Sequence, residues 1–191
     1  MTTALIYENT GEIVGIRSGN YRSVVIDADK SGKSYILSDA DASFDSHYVR
    51  VSTQEVVAYP DKPSDNHVFN YETEAWQFDV ELGRQRKWRD MKAARDQQEF
   101  GQFVYNASTF ECDAQSQSRI QAAAQSAIID SAFSTTWTLA DNTTQTLNAT
   151  QTKDLAKALA DHVKQCHDRG RIVRAEIDAA TTEAQLEEIV W

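Results

Sequence analysis

The first third of the chain alternates apolar and polar residues in short runs broken by polar turns, and this pattern predicts β-structure. "ALIY" and "EIVGIR" flank the turn "ENTG". "YRSVVID" and "KSYILS" flank "ADKSG", and "HYVRV" and "EVVAY" flank "STQ". Three hairpins over residues 1–59 imply a small meander or sandwich. Pro60 and Pro63, the only two prolines, lie close together in "YPDKPSDN". Each lacks a backbone donor and pushes its predecessor toward extended backbone, so residues 60–66 read as a linker or domain edge.

Beyond the prolines the period changes. Three times, a hairpin pattern is followed by a helical one: "HVFNYETEAWQFDV" before "ELGRQRKWRDMKAARDQQEF", "FVYNASTFEC" before "AQSQSRIQAAAQSAIIDSAF", and "TWTLADNTTQTLNA" before the long helix from about Ala149. Each hairpin carries an apolar face: Phe69, Tyr71, Trp76 and Phe78; Phe103, Tyr105 and Phe110; Trp137, Leu139 and Leu147. An isolated hairpin is marginal in water, so each face is expected to lie on the helix that follows it. Asn148 with Gln151, and Thr182 with Gln185, have the spacing of capping boxes. Leu155, Leu159, Val163, Cys166, Gly170, Val173, Ile177 and Ala180 recur at three- and four-residue steps, the seam of a helix packed along a partner. Gly170 either permits close approach or ends one helix and starts another. The expected fold is therefore α+β: a β-rich N-terminal attachment domain over 1–59, a linker and hairpin over 60–80, and hairpin-helix units forming a mostly helical C-terminal domain over 81–191.

The composition, 41% hydrophobic and 25% charged, is that of an ordinary globular protein. The net charge of −10 argues against a nucleic-acid or anionic-membrane partner. It is uneven: residues 1–80 carry 6 basic and 13 acidic residues. Cys112 and Cys166 are too few for a disulfide framework and read as buried thiols of a protein folded in a reducing cytoplasm. The N-terminus shows no secretory pattern, and no apolar run reaches membrane-span length.

Candidate chemistry is sparse. "DADKSG" places Asp27, Asp29, Ser31 and Gly32 like the first half of a calcium loop, but the twelfth position is Ser38, and a polar turn explains the same residues. In "HVKQCH", His162 and Cys166 share a helical face as two metal ligands would, yet no second ligand pair has metal-site spacing, and Cys166 lies on the apolar seam. No phosphate loop, nucleophile elbow or zinc signature is present, so no catalytic residue, cofactor or metal is assigned. The one cationic stripe, "RQRKWRDMKAAR", holds Arg84, Arg86, Lys87, Arg89, Lys92 and Arg95 around Trp88. Arg84, Arg86, Lys87, Trp88 and Arg89 are the candidate partner-binding residues, since Arg beside an aromatic is the composition of interface anchors; a solvated helix face is the alternative.

Four ordered motifs, "KAARDQQEFGQFVYNASTFECDAQSQSRIQAAA", "WTLADNTTQTLNA", "ADHVKQCHDRGR" and "TTEAQLEEIVW", together resemble a C-terminal domain of unknown function found in tailed-bacteriophage and prophage proteins. "HYVRVSTQEVVAYPDKPSDNHVFNYETEAWQFD" is similar to the proline-containing strand segment of tail-region and tail-fibre-associated proteins. Where that domain commonly has a glycine at the hairpin tip, this chain has Asn106-Ala107. The resemblance implies a non-enzymatic virion protein of the tail, baseplate or tail-fibre region, made in the host cytoplasm and present in several copies, and it supplies no catalytic residues. A fibre-assembly chaperone absent from the finished particle is one alternative. An enzyme degrading a cell-surface polymer, resting on unplaced carboxylates, is another.

Overall fold

The computed structural model describes residues 3–18, 28, 30–39 and 41–191. The chain divides into two compact units, Met1–Asp79 and Val80–Trp191.

In the N-terminal unit, β1 (Thr3–Tyr7) is the middle of a three-stranded antiparallel sheet, between β2 (Ile13–Ser18) and β3 (Ser34–Ser38). "KSYILS" thus pairs with the first strand. Its expected hairpin partner "YRSVVID" lies outside the described residues, and Ser31 sits in helical backbone. Leu5, Tyr7 and Ile13 form the apolar core on one face of this sheet, closed by Val49 with Ile16, Ile36 and Val56 around it. Val49 and Val56 are paired across the ribbon of β4 (His47–Arg50) and β5 (Glu55–Ala58). Because side chains alternate along a strand, Tyr48 points from the other face of that ribbon. There it meets Phe69 of the ribbon β6 (His67–Asn70) and β7 (Ala75–Phe78), ring centroids 4.9 Å apart. The unit is therefore layered: sheet, ribbon, ribbon.

Gly11 fixes the first two layers. It accepts the Val49 N–H at 2.8 Å from a backbone with φ +105°, and a Cβ there would lie 2.2 Å from the Val49 carbonyl oxygen. Only glycine combines that dihedral with that approach.

The C-terminal unit is built around its longest helix. α1 spans Val80–Glu99, β8 Gln102–Tyr105, β9 Ser108–Glu111, α2 Ala114–Ile129, β10 Ser134–Thr138, β11 Thr144–Asn148, α3 Ala149–Ala179 and α4 Glu183–Glu188. α1 and α2 both pack on α3. Capping boxes hold both predicted starts: the Asn148 side chain accepts the Gln151 N–H at 2.9 Å and Thr182 that of Gln185 at 3.3 Å. α3 runs unbroken through Gly170, whose added Cβ would meet Arg95 Cδ at 3.7 Å and Trp191 at 3.9 Å. The glycine is thus neither a break nor a required close approach. The exposed side of α3 carries the ion pairs Lys157–Asp161, Lys164–Asp168 and Arg174–Asp178, each four residues apart with the cation first.

Two expectations are corrected. The mostly helical C-terminal domain is not what forms: the fold is mixed, eleven strands in small sheets with four helices among the described residues, and helices do not dominate the C-terminal core. The reason is that the hairpins supply the core. Phe103, Phe110 and Leu147 come from strands and Cys112 from the residue after β9, joined by Ile120, Leu155 and Leu159 from helices. Second, only the two hairpins of the C-terminal unit lie on helices; Trp137 and Leu139 border this same cluster. The β6–β7 ribbon turns its aromatic face to Tyr48 and Tyr59 instead. Residues 60–66 accordingly belong to the N-terminal unit, tied in by the Trp76 indole N–H donating to the Pro60 carbonyl at 2.8 Å.

Candidate functional site

The cationic stripe on α1 is sorted by helical geometry. Residues 84, 88 and 95 share the side turned to α3, because offsets of four and eleven residues return to one face. Arg84 donates from Nε and Nη2 to the Ala180 carbonyl, at 3.1 and 2.9 Å, and so closes the C-terminal end of α3. A cation on orphan carbonyls at a helix C-terminus is a structural role. Arg86 and Lys87 are half-buried, while Arg89 is exposed and reaches the neighbouring Asp90 at 3.3 Å.

Trp88 and Arg95 instead line a notch of about 280 Å³ with His167, Gly170, Arg171 and Arg174 of α3. The Arg174 guanidinium lies 5.3 Å from the centroid of the Trp88 ring, a cation–π contact that orients both groups. Each guanidinium also has a carboxylate: Arg95 with Asp96 at 2.6 Å, Arg174 with Asp178 at 3.0 Å, and Arg171 with Asp168; the His167 ring lies 3.2 Å from the buried Glu99. The notch is thus planar donors and one indole held in place by acids on its flanks. Arg guanidinium planes beside an aromatic suit a carboxylate-bearing, partly apolar partner surface. Arg171 and Arg174 escaped the sequence analysis. Their signal was the spacing of His167, Arg171 and Arg174, which repeats at four and then three residues on one helix face.

The N-terminal unit offers a second concavity. Tyr59, Phe69, Tyr71 and Trp76 line a cleft of about 660 Å³ with Phe44, His67 and the carboxylates Glu12, Asp45 and Asp61 on its walls. Its rings are locked edge to face: Tyr59 and Phe69 at 4.6 Å, Phe69 and Trp76 at 5.2 Å. The Tyr59 and Tyr71 hydroxyls are 2.9 Å apart, and burial raises the pKa of both phenols. Beside the cleft, Glu74 bonds Arg50 at 2.5 and 2.6 Å and accepts from the Tyr48 hydroxyl at 2.9 Å. Those bonds, from Arg50 first and then Tyr48, lower the Glu74 carboxyl from 4.5 to about 2. Glu74 makes them from φ +52°, a conformation that side chains other than glycine rarely adopt.

The remaining candidates are dispersed. Asp27 and Asp29 lie outside the described residues, and the Ser31 hydroxyl donates to the Ala28 carbonyl at 3.0 Å. His162 contacts the Gln98 carbonyl at 3.1 Å and stacks near Phe103, while Cys166 is buried on the seam. Cys112 and Cys166 are both free thiols, and burial pushes Cys112 up to about 11 and Cys166 upward as well. Among the described residues no three His, Cys, Asp or Glu side chains are grouped to hold a metal ion, and no helix is long and apolar enough to cross a membrane.

A model of the family described as Domain of unknown function (DUF4376) matches residues 83–190. No curated protein and no solved structure matches the chain.

Proposed function

We propose that this chain, which belongs to the DUF4376 family by a match over nearly the whole C-terminal unit, is a structural protein of the tail, baseplate or tail-fibre region of a tailed bacteriophage. It works as an adaptor or fibre-associated subunit through protein–protein contacts, without catalysis. The four ordered motifs and the proline-containing strand segment carry the phage assignment, by resemblance. The observation that favours a docking role is the notch where Trp88 and Arg174 stack between Arg95, His167 and Arg171. Interface hot spots are enriched in Trp and Arg. An acidic chain with such a notch selects a protein surface over nucleic acid, whose phosphates the net charge of −10 repels.

Mass spectrometry of washed particles tests the reading: the chain is expected at a fixed stoichiometry to the tail subunits, in several copies as symmetric tails require. Its absence from finished particles, with transient binding to fibre subunits during assembly, would establish the chaperone role instead.

A further inference from the structure

The two edges of the β4–β5 ribbon are treated differently. Tyr59 N–H donates to the Ser46 carbonyl at 2.9 Å, which sets the alternation of the antiparallel ladder. Val57 and Glu55 then bond across to β4, whereas the main-chain groups of Val56 and Ala58 point away from it. The same alternation turns Val49 outward on β4, and there the Gly11 carbonyl receives its N–H at 2.8 Å. The outer edge of β4 is therefore met by the β1–β2 turn. Among the described residues, nothing meets Val56 and Ala58 on the outer edge of β5.

That edge faces a groove of about 650 Å³, lined by Gln54–Ala58 on one side and by Ile36, Leu37, Ser38 and Asp39 on the other. The second wall belongs to β3, the outermost strand of its sheet among the described residues. Ile36 and Val56 both border the Leu5, Tyr7, Ile13 and Val49 cluster, so the groove reaches the apolar core. Leu37 is 42% exposed at its rim. A four-residue strand in a layered sheet, 4.8 Å from its neighbour and about 10 Å from the next layer, occupies roughly 600 Å³. The groove's volume is on the order of that of one such strand.

We propose that this groove accepts an extended segment of a partner protein, which pairs with the outer edge of β5 beneath β3 and sets alternate apolar side chains against Ile36 and Val56. A second copy cannot supply its own β5, because that strand carries a layer on each face; the occupant is a free extended segment. Residues 1–80 carry 6 basic and 13 acidic residues, so basic residues flank the apolar ones in the segment that fits. Main-chain pairing provides affinity and the alternate side chains provide selection.

The test uses the full chain and the peptide Lys-Val-Thr-Val-Thr-Val-Lys, with amide exchange read residue by residue by NMR. The amides of Val56 and Ala58 are expected to slow about tenfold or more, while those of Glu55 and Val57, already paired to β4, stay unchanged. Ala58→Pro removes an outward donor without removing a bond to β4, as edge strands tolerate. It is expected to leave the melting temperature unchanged and weaken the peptide about tenfold or more. Absence of the alternating protection at millimolar peptide, or undiminished binding to Ala58→Pro, overturns the proposal. Particle composition has no bearing on this readout: a chain absent from washed particles that still shows the alternating protection would end the virion assignment and leave the strand site standing.

Discussion

The two units solve the same problem, how to bury short ribbons, in opposite ways. The C-terminal unit lays each hairpin on a helix adjacent in sequence, and Phe110, Ile120, Leu147 and Leu155 become fully buried. The N-terminal unit stacks ribbon on ribbon. Tyr48 is buried there, but Tyr59, Phe69, Tyr71 and Trp76 remain half-exposed and hold one another by ring edges, with the Arg50–Glu74–Tyr48 contacts bracing one side. The comparison teaches that a helix finishes a hairpin's core by itself, whereas stacked ribbons leave an edge and a cleft behind. The family match covers the finished unit, and the openings most suited to recognition include two in the other.

The largest effect that would sharpen this contrast is Phe110→Ala. It empties the centre of the C-terminal core and is expected to cost that unit about 3–5 kcal/mol, measured as faster amide exchange confined to residues 80–191. Gly11→Ala comes next. A methyl placed 2.2 Å from a carbonyl oxygen at φ +105° must part the first two layers, and we expect about 3 kcal/mol lost from the N-terminal unit alone. Exchange accelerated equally in both units by either substitution would break the comparison.

Two substitutions should raise stability. Asn106 and Ala107 turn the β8–β9 hairpin at φ +47° and +63°, so Ala107 occupies left-handed backbone that glycine takes without strain. Ala107→Gly is expected to gain about 1 kcal/mol by chemical denaturation. Gly170→Ala places its methyl at ordinary contact distance within a helix and should gain about 0.5–1 kcal/mol.

The last effect is complete at neutral pH and fades only in acid. The folded Glu74 carboxyl, lowered to about 2 from 4.5, contributes stability above its unfolded pKa that is lost as pH falls from about 4.5 through about 2. Thermal melts of the wild type should therefore approach those of Glu74→Gln as acid is added. Curves that stay parallel through that window would remove Glu74 as a brace.

How much of this was legible follows from the range of each interaction. The hairpin-helix order, the caps at Asn148 and Thr182 and the seam through Leu155 and Ile177 are local and stood in the spacing of residues. What each apolar face would meet did not. Phe69 and Trp76 have the same alternation as Phe103 and Phe110, yet one pair faces Tyr48 and Tyr59 and the other faces α2 and α3. The pairing of β3 with β1 joins residues about thirty positions apart, and no local pattern specifies it. The candidate site divided in the same way. The helical period of α1 is local, but the Ala180 carbonyl that engages Arg84 and the α3 residues that meet Trp88 lie at separations no stripe on one helix reveals.

One detail of α3 bears on how its unit comes apart. Its pairs Lys157–Asp161, Lys164–Asp168 and Arg174–Asp178 set the base ahead of the acid, the less favourable order in a lone helix. Excised as a peptide, this segment would be mostly coil. Its thirty-one residues owe their helicity to what leans on them, so denaturation should leave no helical remnant and far-ultraviolet and tertiary signals should fade together.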